Sequence, residues 1–124
     1  MTFPLFSRDE MAMLIGTRTL FVDTPQGTRS VPVRLFTPEQ VRDKWDCRYE
    51  IDWPEGTIRS HAQGNDALHA LHLAELKLGT ELYMSRYHHE RTMHWLEPWE
   101  GYGFPLPRGA RDLLIGHDRQ FYGD

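Results

Sequence analysis

The sequence predicts an α+β fold: an antiparallel sheet of about four to five strands, one long helix packed across one face, and an aromatic C-terminal tail. Three observations carry this. Residues 45–53, WDCRYEIDW, alternate between apolar Trp45, Cys47, Tyr49, Ile51 and Trp53 and charged Asp46, Arg48, Glu50 and Asp52. That period of two is the signature of a strand with one greasy and one charged face. Residues 65–85 instead place Ala67, Leu71, Ala74, Leu78 and Leu82 on one stripe at 100° per residue, as a helix does. The order of strands, long helix, last strand and tail then puts the helix on one face of an antiparallel sheet.

The elements follow in order. Ser7 and Glu10 have the spacing of a capping box, so a short helix is expected over 7–16, ending near Gly16. TLFVD (19–23) and RSVPVRLF (29–36) are rich in β-branched and aromatic residues, and TPQGT between them suits a short hairpin loop. Pro32 has no N–H, which places its strand at an edge or a bulge there. Thr37, Pro38 and Gln40 fit the cap, first and third positions of a helical turn running through VRDK to the strand at 45. The PEG turn (54–56) leads into TIRSHA (57–62), a fourth strand pairing back on the third. Asn65 is the expected N-cap of the long helix, with Asp66 in its positive first turn.

Leu73, Leu76, Tyr83 and Met84 fall on the far side of that helix, where something other than water has to cover them. After it come a short strand in 93–96, an irregular GYGFPLP and one helical turn in RGARDLLIG. Trp95, Trp99, Tyr102, Phe104, Phe121 and Tyr122 make the tail too aromatic for a disordered extension, so it is expected to wrap over the helix's outer face.

A chain of 124 residues fits a single domain, with a core over 18–106 and the wrapping tail over 107–124. Fourteen basic against 18 acidic residues give a net charge of −4 without a basic stripe, which argues against nucleic acid. No apolar run approaches the roughly 20 residues of a membrane span. The N-terminus lacks the positive leader of a secretion signal. Cys47 is the single cysteine and cannot form an internal disulfide. A soluble, cytoplasmic protein is the expectation.

W-D-C-R-Y-E-I, G-N-D-A-L-H-A-L-H-L-A-E-L-K-L-G-T-E-L-Y, M-H-W-L and G-Y-G-F-P follow one another along the chain. In this the sequence resembles a widespread family of small bacterial proteins known only as a domain of unknown function. In that family a W-x-C-x-[YF]-x-[IL] strand precedes a D-[SA]-x-x-A-L helix ending in G-x-E-L, then an [LM]-x-W strand and a G-F-P close. The resemblance covers roughly residues 18 to 106, implies a shared fold and carries no catalytic residue. His69 and His72 depart from its pattern. Some domains of this size and order sit beside toxins as immunity proteins, which is an analogy of gene architecture.

Two kinds of site are expected. The first is a binding surface for a protein partner or a second copy. It combines the charged row Asp46, Arg48, Glu50 and Asp52, with Glu55 after it, and the outer helix residues Leu73, Leu76 and Tyr83. Taken by itself the row reads as the solvated face of an antiparallel sheet, with Arg48 the partner of its neighbours. As a mildly acidic surface it would speed encounter with a basic partner. The function that follows is a non-enzymatic binding or accessory protein of the immunity type, without a cofactor. The rival is a zinc-dependent or small-molecule-binding enzyme using His61, His69 and His72, which would have to converge to within bonding distance of one ion. No nucleophile elbow and no phosphate-binding glycine loop is present.

Overall fold

The structure is a computed structural model and describes residues 12–123. Strand β1 (Leu14–Thr24) turns at Pro25–Gln26 into β2 (Gly27–Phe36). β3 (Glu39–Val41), β4 (Lys44–Trp53) and β5 (Gly56–Gly64) follow, then helix α1 (Ala67–Tyr83), one-turn α2 (Arg86–His89) and β6 (Met93–His94). A 3₁₀ turn (Arg108–Leu113) and helix α3 (Gly116–Tyr122) end the chain. The fold is α+β: all pairings are antiparallel, and the strands lie in the order β5, β4, β2 with β3, β1, β6.

β2 and β3 share one edge of β4, with Val33–Leu35 opposite Ile51–Tyr49 and Glu39–Val41 opposite Asp46–Lys44. They are in effect one strand interrupted at Thr37–Pro38. This corrects the expected helical turn through 37–44. Thr37, which would have capped that turn, instead accepts the Met13 N–H at its hydroxyl (3.1 Å) and donates its own N–H to the Met13 carbonyl (2.7 Å). The chain then reverses at Arg42–Asp43, with Arg42 at φ 60. The ladder between β2 and β4 stops beside Pro32, which has no N–H to offer it. Residues 14–16, expected as the end of a helix, are the start of β1; the capping-box residues Ser7 and Glu10 lie outside the described residues.

The long helix begins one residue later than expected. Asp66 is the N-cap, its carboxylate accepting the His69 N–H (2.8 Å), while Asn65 turns its side-chain oxygen to Lys44 Nζ (2.8 Å). It also ends earlier, at Tyr83, and Ser85 caps the separate turn that follows.

α1 lies across β4 and β5, burying Ala70, Ala74, Leu78 and Leu82 against Cys47, Tyr49 and Ile51. Five strands abreast at about 4.8 Å are roughly twice as wide as a helix of about 10–12 Å. The other half of this face, Leu20, Val22, Val31, Val33 and Met93, is covered by the tail through Tyr102, Phe104, Leu106 and Leu114, all buried. The tail also reaches the flank of α1. A Cβ built on Gly79 would stand 2.2 Å from the carbonyl oxygen of Pro105, so backbone meets backbone there.

That contact reverses a general rule. Glycine to alanine inside a helix normally stabilises by about 1 kcal/mol. At residue 79 the added methyl has to push Pro105 away, at an overpacking cost of roughly 1–3 kcal/mol. Gly79→Ala should therefore lower the urea midpoint of unfolding; a raised midpoint would mean that the tail does not seat on α1.

Candidate functional site

The charged row of β4 meets partners across the strands and not along its own. Residues two apart on a strand stand about 6.8 Å apart, against roughly 4.5–5.5 Å for cross-strand neighbours. Arg34 of β2 sits opposite Glu50 and Arg59 of β5 sits opposite it on the other side. Arg34 donates to Glu50 (2.9 Å) and, through both terminal nitrogens, to Asp52 (2.9 and 2.5 Å). Arg59 donates to Glu50 at 3.0 Å and Thr57 to Asp52 at 2.7 Å. The Arg34 and Thr57 bonds hold the Asp52 carboxyl below its ordinary range.

Arg48, expected to serve its β4 neighbours, instead lies over the Phe36 ring at 4.9 Å and reaches Glu39 of β3 at 3.8 Å. Asp46 is only 3% exposed and accepts from His61 Nδ1 at 2.5 Å. The row is thus a lattice of compensated charge.

The three histidines read as zinc ligands are each engaged separately. His61 is on Asp46, the Nδ1 of His69 accepts the Asn65 N–H at 3.0 Å, and His72 lines the groove between α1 and the tail with Leu76, Pro105 and Phe121. Among the described residues, no three His, Cys, Asp or Glu side chains are grouped to hold a metal ion. Cys47 is buried, with its thiol on the Phe36 carbonyl (3.2 Å) and its pKa pushed up to about 11, first by burial. A thiol in that state is a poor nucleophile.

Tyr83, expected on the helix's far side beneath a cover or a partner, is buried within the chain and belongs to a polar lock. Asp118 of α3, 3% exposed, accepts from the Tyr83 hydroxyl (2.5 Å) and from the N–H groups of Tyr102 and Gly103 (2.8 Å each). From β1, the Arg18 guanidinium donates to the carbonyls of Tyr102 (3.1 Å) and Gly103 (2.8 Å) and stacks over Trp95 and Phe104. Gly101 and Gly103 have φ +94 and +78, and a Cβ on either would collide with Asp118 or with Arg18 and Trp95. Only glycine fits both the conformation and the approach.

His88 closes the lock: its Nδ1 is 2.5 Å from the Tyr102 hydroxyl and its ring stacks on Trp99 at 5.0 Å. Tyr102 is buried and needs an acceptor for its proton, so Nδ1 is the unprotonated nitrogen of a neutral ring.

Two adjoining clefts lie at one end of the sheet, where the β1–β2 and β4–β5 turns meet α2. A cleft of about 460 Å³ is lined by Trp53, Glu55, Lys77, Thr80, Glu81, Met84 and the start of α2. A second, of about 420 Å³, lies between the two turns, with Asp23, Arg29, Glu55, Arg86, Tyr87 and Glu90 on its walls. The ridge between them is built. Tyr87 stacks on Trp53 (5.3 Å), donates its hydroxyl to Glu55 (2.6 Å) and receives Arg86 both as a hydrogen bond (2.9 Å) and over its ring (4.8 Å). Burial opposes ionisation of Glu55, but the Tyr87 bond, its own N–H and Arg86 outweigh it and lower its pKa. Met84 beside the ridge is 70% exposed.

Of the residues expected to bind a partner, Glu55 alone lines these clefts. Leu73 and Leu76 are partly buried on α1. Trp53, Met84, Arg86 and Tyr87 were not foreseen as a group, because two separated segments, 53 and 84–87, supply them and no periodicity links those segments.

A family model, Domain of unknown function (DUF6968), matches residues 16–106, and the chain belongs to that family. No curated protein and no solved structure matches it. The matched span includes both turn-end clefts and stops before Asp118, so the carboxyl that fastens the tail comes from outside it.

Burial lowers the pKa of His88, helped by His89 and Arg91 and opposed by Asp118. The unfolded chain then takes up a proton near pH 6.5 before the folded one does. The stability linked to His88 is whole above that pH and is lost as pH falls below it toward the folded value. Between pH 7.5 and 5.5 the urea midpoint should drop further for the wild type than for His88→Gln. Equal drops would remove His88 from the lock.

Proposed function

We propose that this protein is a non-enzymatic binding module of the immunity type that engages a basic protein partner through the turn end of its sheet. The ridge of Trp53 and Arg86, backed by the buried Tyr87 between two clefts and with exposed Met84 beside it, carries this reading. Trp, Tyr and Arg are the side chains over-represented among residues that dominate binding energy, and Met and Arg are enriched at interfaces. Their mutual contacts hold the ridge in one arrangement, so little side-chain freedom is left to lose on binding.

Charge supports a basic partner. The two clefts carry the carboxylates of Asp23, Glu55, Glu81 and Glu90 against the cations Arg29, Lys77 and Arg86. Lys77 is already bonded to the His61 carbonyl (2.9 Å) and Arg86 to Tyr87. The whole chain is at −4. The compensated row on β4 fits a different role, keeping the open sheet face soluble.

A growth-rescue assay tests the immunity form: the product of the neighbouring gene is expressed with and without this protein. Rescue is expected, and an unrelated, harmless neighbour ends that form of the reading. Within such a pair, Trp53→Ala should weaken binding by roughly 2 kcal/mol or more, about thirtyfold, as a central anchor does. Asp52→Asn, on the sheet face, should leave affinity within about twofold. The reverse ranking in isothermal titration would move the interface to the β4 row.

A further inference from the structure

The two edges of the sheet are finished differently. The β5 edge carries Arg59 and His61, and Lys77 of α1 covers the His61 carbonyl. Charge and an amino group on the backbone are devices that keep a foreign strand from pairing. At the other edge β6 pairs with β1 only at Phe21 and Val22, and no described strand pairs with Leu14–Leu20 on that side. Asp23 donates its N–H to Thr92 on the β6 side (2.9 Å). Strand alternation along the regular ladder with β2 turns the N–H and C=O of Thr19 and Thr17 the same way, toward the open edge.

Among the described residues this edge carries neither an exposed charge over 12–17 nor a covering amino group. Residues 12–17, AMLIGT, carry no charge. Met13, Leu14 and Ile15 are 71, 49 and 50% exposed, three exposed apolar side chains in succession. A β-bulge between Leu14 and Gly16 re-aims the side chains at this point. Beside them is an apolar groove of about 200 Å³ lined by Ile15, Val33, Leu35 and Phe104.

We propose that the β1 edge, Leu14–Thr19, pairs antiparallel with the same edge of a second copy across a two-fold axis, continuing the sheet through a homodimer. The occupant is argued from self-complementarity. Open N–H and C=O groups in strand register are satisfied by another strand, and in a two-fold pairing residue i of one copy faces residue j of the other while j faces i, so one segment supplies both sides. Arg18 is the one charge in the segment, and its guanidinium is held by the carbonyls of Tyr102 and Gly103, so the pairing brings no free like charges together. The partner's Met13 and Leu14 then have the groove beside Ile15 and Phe104 to fill. This proposal is independent of the turn-end reading, since the β1 edge contributes nothing to those clefts.

One added strand pair buries less than the roughly 1,600 Å² of a standard interface, so the association belongs to the weaker class. Sedimentation velocity of the full chain from about 1 to 500 μM is expected to show monomer passing to dimer. Thr17→Pro removes an N–H that faces the open edge and takes none from the β1–β2 ladder, so the variant should keep its circular dichroism and stay monomeric throughout. Ile15→Lys should raise the dimer dissociation constant at least tenfold. Hydrogen exchange at Thr17 and Thr19 should slow as concentration rises. A wild type monomeric at every concentration overturns the proposal, as does a dimer that survives Thr17→Pro. Protection of those amides independent of concentration also overturns it, because the edge is then covered from within the chain.

Discussion

The constraint on which this fold rests is a mismatch of widths. A single helix spans about half of a sheet five strands across, and a face lined by Leu20, Val22, Val31, Val33 and Met93 cannot be left to water. Leaving one such side chain exposed forfeits roughly 1.5–3 kcal/mol, so an uncovered half-sheet would consume the few kcal/mol by which a small domain is stable. The tail between Tyr102 and Leu114 is therefore part of the core, although it has little regular structure.

Irregular backbone in that position brings a second problem, because N–H and C=O groups with no ladder or helix to join must find partners. Side chains supply them here. Asp118 takes the N–H groups of Tyr102 and Gly103, and Arg18 takes their carbonyls. Opposite charges thus clamp the same peptide segment from two sides, and Tyr83 and His88 complete the set. Burial lowers the Arg18 pKa and raises that of Tyr83, and both shifts arise from placing polar groups where they serve the backbone.

The open face and the turn end divide the surface by chemistry. On the face, Glu50 and Asp52 are neutralised by Arg34 and Arg59. At the turn end, stacked aromatic rings, an exposed methionine and carboxylates in excess of free cations are gathered around two clefts. A surface already satisfied internally has little to gain from a partner; one with rigid aromatic walls and spare acceptors has more.

Local periodicity determined much of this architecture. The alternation of 45–53, the hairpin signals at TPQGT and PEG, and the 3.6-residue stripe led to the right elements because side-chain direction repeats within each element. The aromatic tail, expected over the outer face of the helix, seats instead on the sheet beside it through Tyr102, Phe104, Leu106 and Leu114, and leaves Phe121 80% exposed, because the bare half of the sheet offers the larger apolar surface. Tertiary structure decided the rest. Whether Thr37 caps a helix or binds Met13 depends on which segment lies beside it, as does the choice of Arg34 over Arg48 for Glu50. The lock uniting residues 18, 83, 88, 102 and 118, and the ridge uniting 53, 55, 86 and 87, join positions far apart in the chain. No repeat in the sequence encodes such distances; they exist only once the strands have chosen their register and the tail its seat.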